Sequence, residues 1–159
     1  MKKKYLFLSF IIPLLVILLM FICNGIIFGN NSIYYSDSEY QYHQLLIYLK
    51  NVFNGSSNIL YSFKIGFGTP MIATICYYLL SPFNLLLNFF NNIEIFYIFQ
   101  VVIKIGLCGL NMYLYLTYQN KDKKALLFST SYALSLYIIC NYFQIMWLDA
   151  YLLAPLLLL

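Results

Sequence analysis

The chain has 159 residues, of which 63% are hydrophobic, 20% aromatic and only 9% charged, and its mean hydropathy is +0.79. A soluble domain carries roughly 25% charged residues, so this composition excludes one and predicts a membrane protein. The net charge of +4 comes from nine lysines and no arginine; without a clustered basic stripe it reports membrane topology, and no nucleic-acid partner is expected.

Lys2, Lys3 and Lys4 precede Tyr5–Phe28, a run with no charged residue. About 20 apolar residues cross a bilayer core, and lysines stay on the cytoplasmic side. The run is too long for a signal peptide, whose apolar region spans about 7–15 residues, and no small-x-small cleavage site follows. It is therefore expected to be an uncleaved anchor helix over residues 5–28, with Pro13 tolerated inside it and the N-terminus cytoplasmic. Gly29-Asn30-Asn31-Ser32 reads as a turn-rich exit from the membrane. Ser36-Asp37-Ser38-Glu39 then matches the S-x-x-E capping box, with Ser36 as N-cap and Glu39 as its reciprocal partner. The spacing predicts a helix from Asp37 to Phe53, ended by Asn54-Gly55-Ser56-Ser57. Leu45, Leu46, Leu49, Val52 and Phe53 would lie on the membrane surface, while Asp37, Gln41, Gln44 and Tyr48 form a polar stripe.

Leu60–Pro70 reads as a glycine-containing loop. Met71–Phe90 has the length of a span but is broken at Ser81-Pro82 and carries Asn84 and Asn88. Residues 93–118 form a clearer span, followed by Lys121-Asp122-Lys123-Lys124. Keeping that lysine cluster cytoplasmic requires Met71–Phe90 to lie at, or re-enter from, the outer interface. Residues 29–92 are thus expected to form an outer loop with interfacial helices, residues 124–141 to return outward, and residues 150–159 to begin another inward helix. Tyr142–Tyr151 would lie at the outer face, with Trp147 as an interface anchor. The chain stops inside that last apolar run, so it reads as the N-terminal part of a longer single membrane domain. This topology places Asp37, Glu39 and Asp149, three of the five acids, on the outer side. Cys23, Cys76, Cys108 and Cys140 show no metal spacing and read as small apolar packing residues. His43, the single histidine, reads as surface polarity rather than a metal ligand.

Several stretches, in order, resemble one family. Asp37-Ser38-Glu39-Tyr40-Gln41-Tyr42 resembles its D-x-x-x-Q-Y. Tyr61-Ser62-Phe63 with Gly66-Phe67-Gly68 resembles Y-S-F…G-x-G, and Tyr77–Asn84 resembles Y-Y-x-x-S-P-F-N. Lys104-Ile105-Gly106-Leu107 resembles L-K-I-G-L with Ile103 at the first position; Tyr132-Ala133-Leu134-Ser135 and Met146-Trp147-Leu148-Asp149-Ala150 complete the set. Each motif is weak alone; six in order are specific. The chain therefore resembles the N-terminal part of the bacterial YfhO family of membrane proteins, which are similar to GT-C glycosyltransferases. The resemblance implies an all-α, polytopic GT-C-like helical bundle in the bacterial cell membrane. It also implies a donor sugar linked to polyprenyl phosphate and an extracytoplasmic glycopolymer acceptor such as lipoteichoic acid. GT-C enzymes place an acid in the first outer loop, and Asp37 occupies that place.

Asp37 is the expected catalytic residue, since sugar transfer to a hydroxyl needs a base for the acceptor proton; its other reading is a first-turn acid favoured by the helix dipole. Glu39, Gln41, Tyr42, Lys104 and Asp149 are the candidates for substrate binding, with Glu39 also the capping partner. Lys104 sits mid-span, where an ionisable residue is costly and a functional hypothesis by default; meeting the donor phosphate, pairing with an acid and lining a wet cleft stand side by side. Asp149 has three readings, metal ligand, acceptor-orienting group and partner of Lys104, and pairing or a structural role is preferred. No cofactor is indicated, a divalent metal being compatible with the chemistry. A second class of function also fits: a non-catalytic membrane module, such as a carrier, lipid-handling protein or assembly partner, or an inactive fragment.

The lysine distribution yields a topological prediction. A cysteine introduced at position 123 should react with a membrane-impermeant maleimide only after the cells are opened. Labelling in intact cells would make Met71–Phe90 a full crossing.

Overall fold

The computed structural model describes residues 3–119 and 124–159; most of the lysine cluster, Lys121, Asp122 and Lys123, lies outside them. Among the described residues the regular elements are helices and one hairpin of two-residue strands, and the chain divides into two compact units, Met1–Ile33 with Ile98–Leu159, and Tyr34–Tyr97. Among the described residues, two helices, Lys3–Cys23 and Ile93–Tyr118, are long and apolar enough to cross a membrane.

The first unit contains α1 (Lys3–Cys23), most of α4 (Ile93–Tyr118), α5 (Ala125–Ala133), α6 (Leu136–Cys140) and α7 (Ile145–Leu157). α1 stops at Cys23, five residues short of the expected span; Gly25 and Phe28 then take left-handed backbone angles. Its buried face is Ser9, Pro13, Ile17 and Phe21, one residue per turn. Without a strong hydrophobic drive between helices in lipid, small residues let backbones approach closely. α4 meets this face through glycines. A Cβ on Gly106 would fall 2.9 Å from the Phe10 ring, and one on Gly109 only 2.3 Å from the Ser9 carbonyl oxygen. Pro13, four residues on from Ser9, has no N–H to return to that carbonyl. α5 packs on α1, and its Ala133 faces the same Gly109.

The expected return helix over 124–141 is two shorter helices. Leu134 and Ser135 leave helical geometry between α5 and α6, Ser135 with φ −61° and ψ 146°. Within the segment 142–151, α7 begins at Ile145, ahead of the expected helix start at residue 150, and takes Trp147 and Asp149 into a helix. Of the cysteines, Cys108 alone is buried packing; Cys23, Cys76 and Cys140 are exposed.

The second unit contains a wide π-helical turn (Ser38–Tyr42) leading into α2 (His43–Phe53), a hairpin of β1 (Tyr61–Ser62) and β2 (Thr69–Pro70), α3 (Met71–Thr74) continued by a π-helical turn to Leu79, and a 3₁₀ helix over Pro82–Phe89. The capping box does not form. Ser36 has φ 54°, and the helix start has no side-chain cap. Ser38, two residues later, does the local work: its Oγ accepts from the Tyr35 N–H and donates to the Tyr35 carbonyl at 2.7 Å. The apolar face of α2 is covered by protein only in part. Leu45, Leu46 and Leu49 are buried, as is Tyr48, whose hydroxyl donates to the Asn58 carbonyl, while Val52 is half-buried and Phe53 exposed. The 60–70 segment pairs antiparallel, Tyr61 with Pro70 and Ser62 with Thr69.

Met71–Leu79 and Pro82–Phe89 meet at 99°, forming a broken span or a re-entrant loop. The bend follows from Pro82, whose ring pushes the preceding residue out of helical geometry; Ser81 is extended at φ −117° and ψ 132°. Asn84 secures the corner. Its buried amide donates to the Leu79 carbonyl at 2.7 Å, and the Ser81 N–H reaches the same oxygen at 2.8 Å. At the far end Lys50 Nζ donates to the Phe90 carbonyl at 2.6 Å, satisfying a helix-end acceptor.

Because Ser38 rather than Ser36 holds the turn, Ser38→Ala should cost about 1 kcal/mol, the usual worth of a lost hydrogen bond. Ser36→Gly, which suits a left-handed backbone, should cost nothing. Amide exchange of residues 38–42 in detergent separates the two: faster exchange in the Ser36 variant alone would restore the capping box.

Candidate functional site

In the second unit the D-x-x-x-Q-Y stretch splits by exposure. Asp37, Glu39 and Tyr40 are exposed, Gln41 is half-buried and Tyr42 is buried. The π-helical turn sets this split, since its wide register turns Ser38 and Tyr42 inward and leaves the two carboxylates in solvent. Tyr42 packs edge-on to Tyr78 with ring centroids 5.9 Å apart, and Tyr78 meets Tyr77 in the same manner at 4.6 Å. Burial raises the phenol pKa of Tyr42, and Tyr78, the negative charge of Asp37 and Tyr77 push it the same way. Tyr42 therefore stays protonated, and the charge of Asp37, five residues before it, is felt at its hydroxyl. Tyr77 remains largely exposed.

The geometry thus joins two stretches far apart in sequence: a solvent-facing carboxylate, a buried phenol and an exposed tyrosine. Tyr77 and Tyr78 had no site role in the sequence reading; the paired tyrosines ahead of the Ser-Pro corner were the available signal. His43 departs from its expected surface place. It is half-buried, edge-on to Tyr34 at 4.6 Å, and its Nδ1 is buried with no hydrogen-bond partner. Among the described residues no three His, Cys, Asp or Glu side chains gather into a metal-holding group.

In the first unit Lys104 is fully buried on α4. Its Nζ donates to Asp149 Oδ2 at 2.9 Å and to the Ile145 carbonyl at 2.9 Å. Asn111, two turns further along α4, donates to the Leu152 carbonyl at 2.8 Å. Both contacts advance seven residues on each helix, so α4 and α7 run in the same direction. The Tyr132 hydroxyl of α5 donates to the Tyr151 carbonyl at 2.8 Å, joining α5 to α7. The pairing of Lys104 with Asp149 is thus realised, and Asp149 keeps one-fifth of its side chain exposed.

The family model for the bacterial membrane protein YfhO matches residues 9–159 of the chain. The chain belongs to the YfhO family. No curated protein and no solved structure matches it. The YfhO motifs sort between the units, the first three in Tyr34–Tyr97 and the last three in the other unit. In this YfhO family member the last three have visible structural tasks: Lys104 and Asp149 pair, Gly106 admits α1, and Tyr132 ties α5 to α7.

Removing one member of a buried ion pair leaves an uncompensated charge, worth about 3–5 kcal/mol, whereas an apolar pair of similar volume is often neutral. Asp149→Ala should destabilise the protein by that order, and Lys104→Met with Asp149→Leu should recover most of it. Thermal denaturation in detergent measures both. A double variant no more stable than Asp149→Ala would show that the pair does more than satisfy Lys104.

Proposed function

We propose that the YfhO family member is a multi-pass glycosyltransferase of GT-C-like bundle, cytoplasmic at its N-terminus, that moves a sugar from a polyprenyl-phosphate donor to an extracytoplasmic glycopolymer of lipoteichoic-acid type. The observation that carries this reading is the exposed Asp37 carboxylate beside the Tyr42–Tyr78–Tyr77 aromatic array. In the reaction an acceptor hydroxyl attacks C1 of the donor sugar. The new C1–oxygen bond forms as the C1–phosphate bond breaks, polyprenyl phosphate leaves with the electron pair, and Asp37 takes the hydroxyl proton. Exposed Tyr77 offers a ring face for the sugar, and Tyr42, held protonated, is a hydrogen-bond donor at the floor. Glu39 and Gln41 are placed to orient acceptor hydroxyls. Lys104 and Asp149 pair to hold α4 against α7. A second reading, a non-catalytic membrane module for lipid handling or assembly, is favoured by one observation: the buried Lys104–Asp149 pair is satisfied internally.

Asp37→Asn keeps the shape and removes the proton acceptor. Transfer should fall by about 10²-fold, as is usual for loss of a general base, with insertion in the membrane unchanged. Sugar content of the polymer in a complemented deletion strain is the readout, and wild-type decoration would leave the non-catalytic module as the better reading.

A further inference from the structure

The β1–β2 hairpin is built in a way the proposed chemistry does not use. Its tip carries Phe63 and Phe67 almost wholly in the open, at 80% and 106% exposure. Gly66, at φ +58°, and Gly68, at φ +121°, turn the chain there, and the Tyr61 ring lies where a Cβ on Gly68 would be. A bare aromatic pair on a fixed turn is costly in water. In a chain whose helices lie in a membrane, the bilayer interface is the surface within reach, and aromatic rings settle there.

Between the hairpin and α2 lies a cleft of about 170 Å³, lined by Gln44, Tyr48, Asn51, Lys64 and Ile65 among others. The Tyr48 hydroxyl is committed to Asn58, whereas the side chains of Gln44, Asn51 and Lys64 hydrogen-bond to no described residue. One cation, two amides and an apolar wall suit a phosphate carrying a short polyol. Lys64 follows Phe63 directly, so a tip resting in the interface sets the ammonium at the level of lipid phosphates.

We propose that this cleft binds the anionic phosphodiester headgroup of a membrane glycerophospholipid while Phe63 and Phe67 dip into the bilayer surface. The cleft is a lipid site separate from Asp37, and it stands whether or not the protein transfers sugar.

The chain has one tryptophan, Trp147, so Trp147→Phe with Phe67→Trp places the sole reporter at the tip. The protein is reconstituted in phosphatidylcholine vesicles. With all tails brominated, the reporter should be quenched; no quenching there, nor with Phe63→Trp in its place, overturns the insertion. With brominated lipid diluted to a few per cent, phosphatidylglycerol should quench at least twice as strongly as phosphatidylcholine. Lys64→Gln should abolish that preference without changing the fully brominated signal. Equal quenching by the two dilute lipids overturns the headgroup site. Loss of the preference on adding millimolar glycerol 3-phosphate would assign the cleft to the free phosphate and overturn the lipid assignment.

Discussion

One buried ammonium constrains the membrane helices. Lys104 is fully buried, and a lone charge in such a place is too costly to keep. Asp149 and the Ile145 carbonyl answer it from α7. That fixes which helix lies beside α4, in which direction and at which register, and Asn111 repeats the tie one heptad on. Since α4 and α7 run the same way, the segment between them must come back, and the broken pair α5 and α6 occupies it. Close approach at the other face of α4 depends on Gly106 and Gly109, the latter against the carbonyl that Pro13 leaves without its usual donor.

The second unit solves a different problem. Its helices are short and interrupted, so their ends must be satisfied locally. Asn84 closes the corner at Ser81-Pro82, Lys50 closes the end of the 3₁₀ helix, and Ser38 closes the turn at Tyr35. With these ends held by side chains, Tyr42 and Tyr78 are packed inside while Asp37 and Tyr77 stay in solvent. The family motifs therefore mix two kinds of residue: those that fold the corner and those that the fold displays.

Long apolar periodicity made α1 and α4 legible in the sequence, α4 with its observed bounds of Ile93–Tyr118. Lys104 announced itself because a mid-span charge requires a partner. Other features escaped for physical reasons. Ser36 and Ser38 offer the same hydroxyl two positions apart, and only the backbone angle at Ser36 decides between them. The face of Leu45, Leu46 and Leu49 is apolar whether it meets lipid or protein, so periodicity predicts burial without naming the neighbour. The break at Leu134-Ser135 has no proline or glycine to mark it. The array of Tyr42, Tyr77 and Tyr78 rests on a contact between residues 36 positions apart, Tyr42 and Tyr78, which no local pattern encodes.

The buried pair holds α4 to α7, and the proposed chemistry rests on the exposed Asp37 carboxylate. The most direct measurement is the polymer-bound sugar made by bacteria whose only copy of the protein carries Lys104→Met with Asp149→Leu, scored alongside its abundance in the membrane. Decoration in proportion to abundance is expected, because the proposed step takes the acceptor proton on Asp37 and gives the ion pair a structural part. Normal abundance with decoration lost would contradict it and put Lys104 and Asp149 in the site.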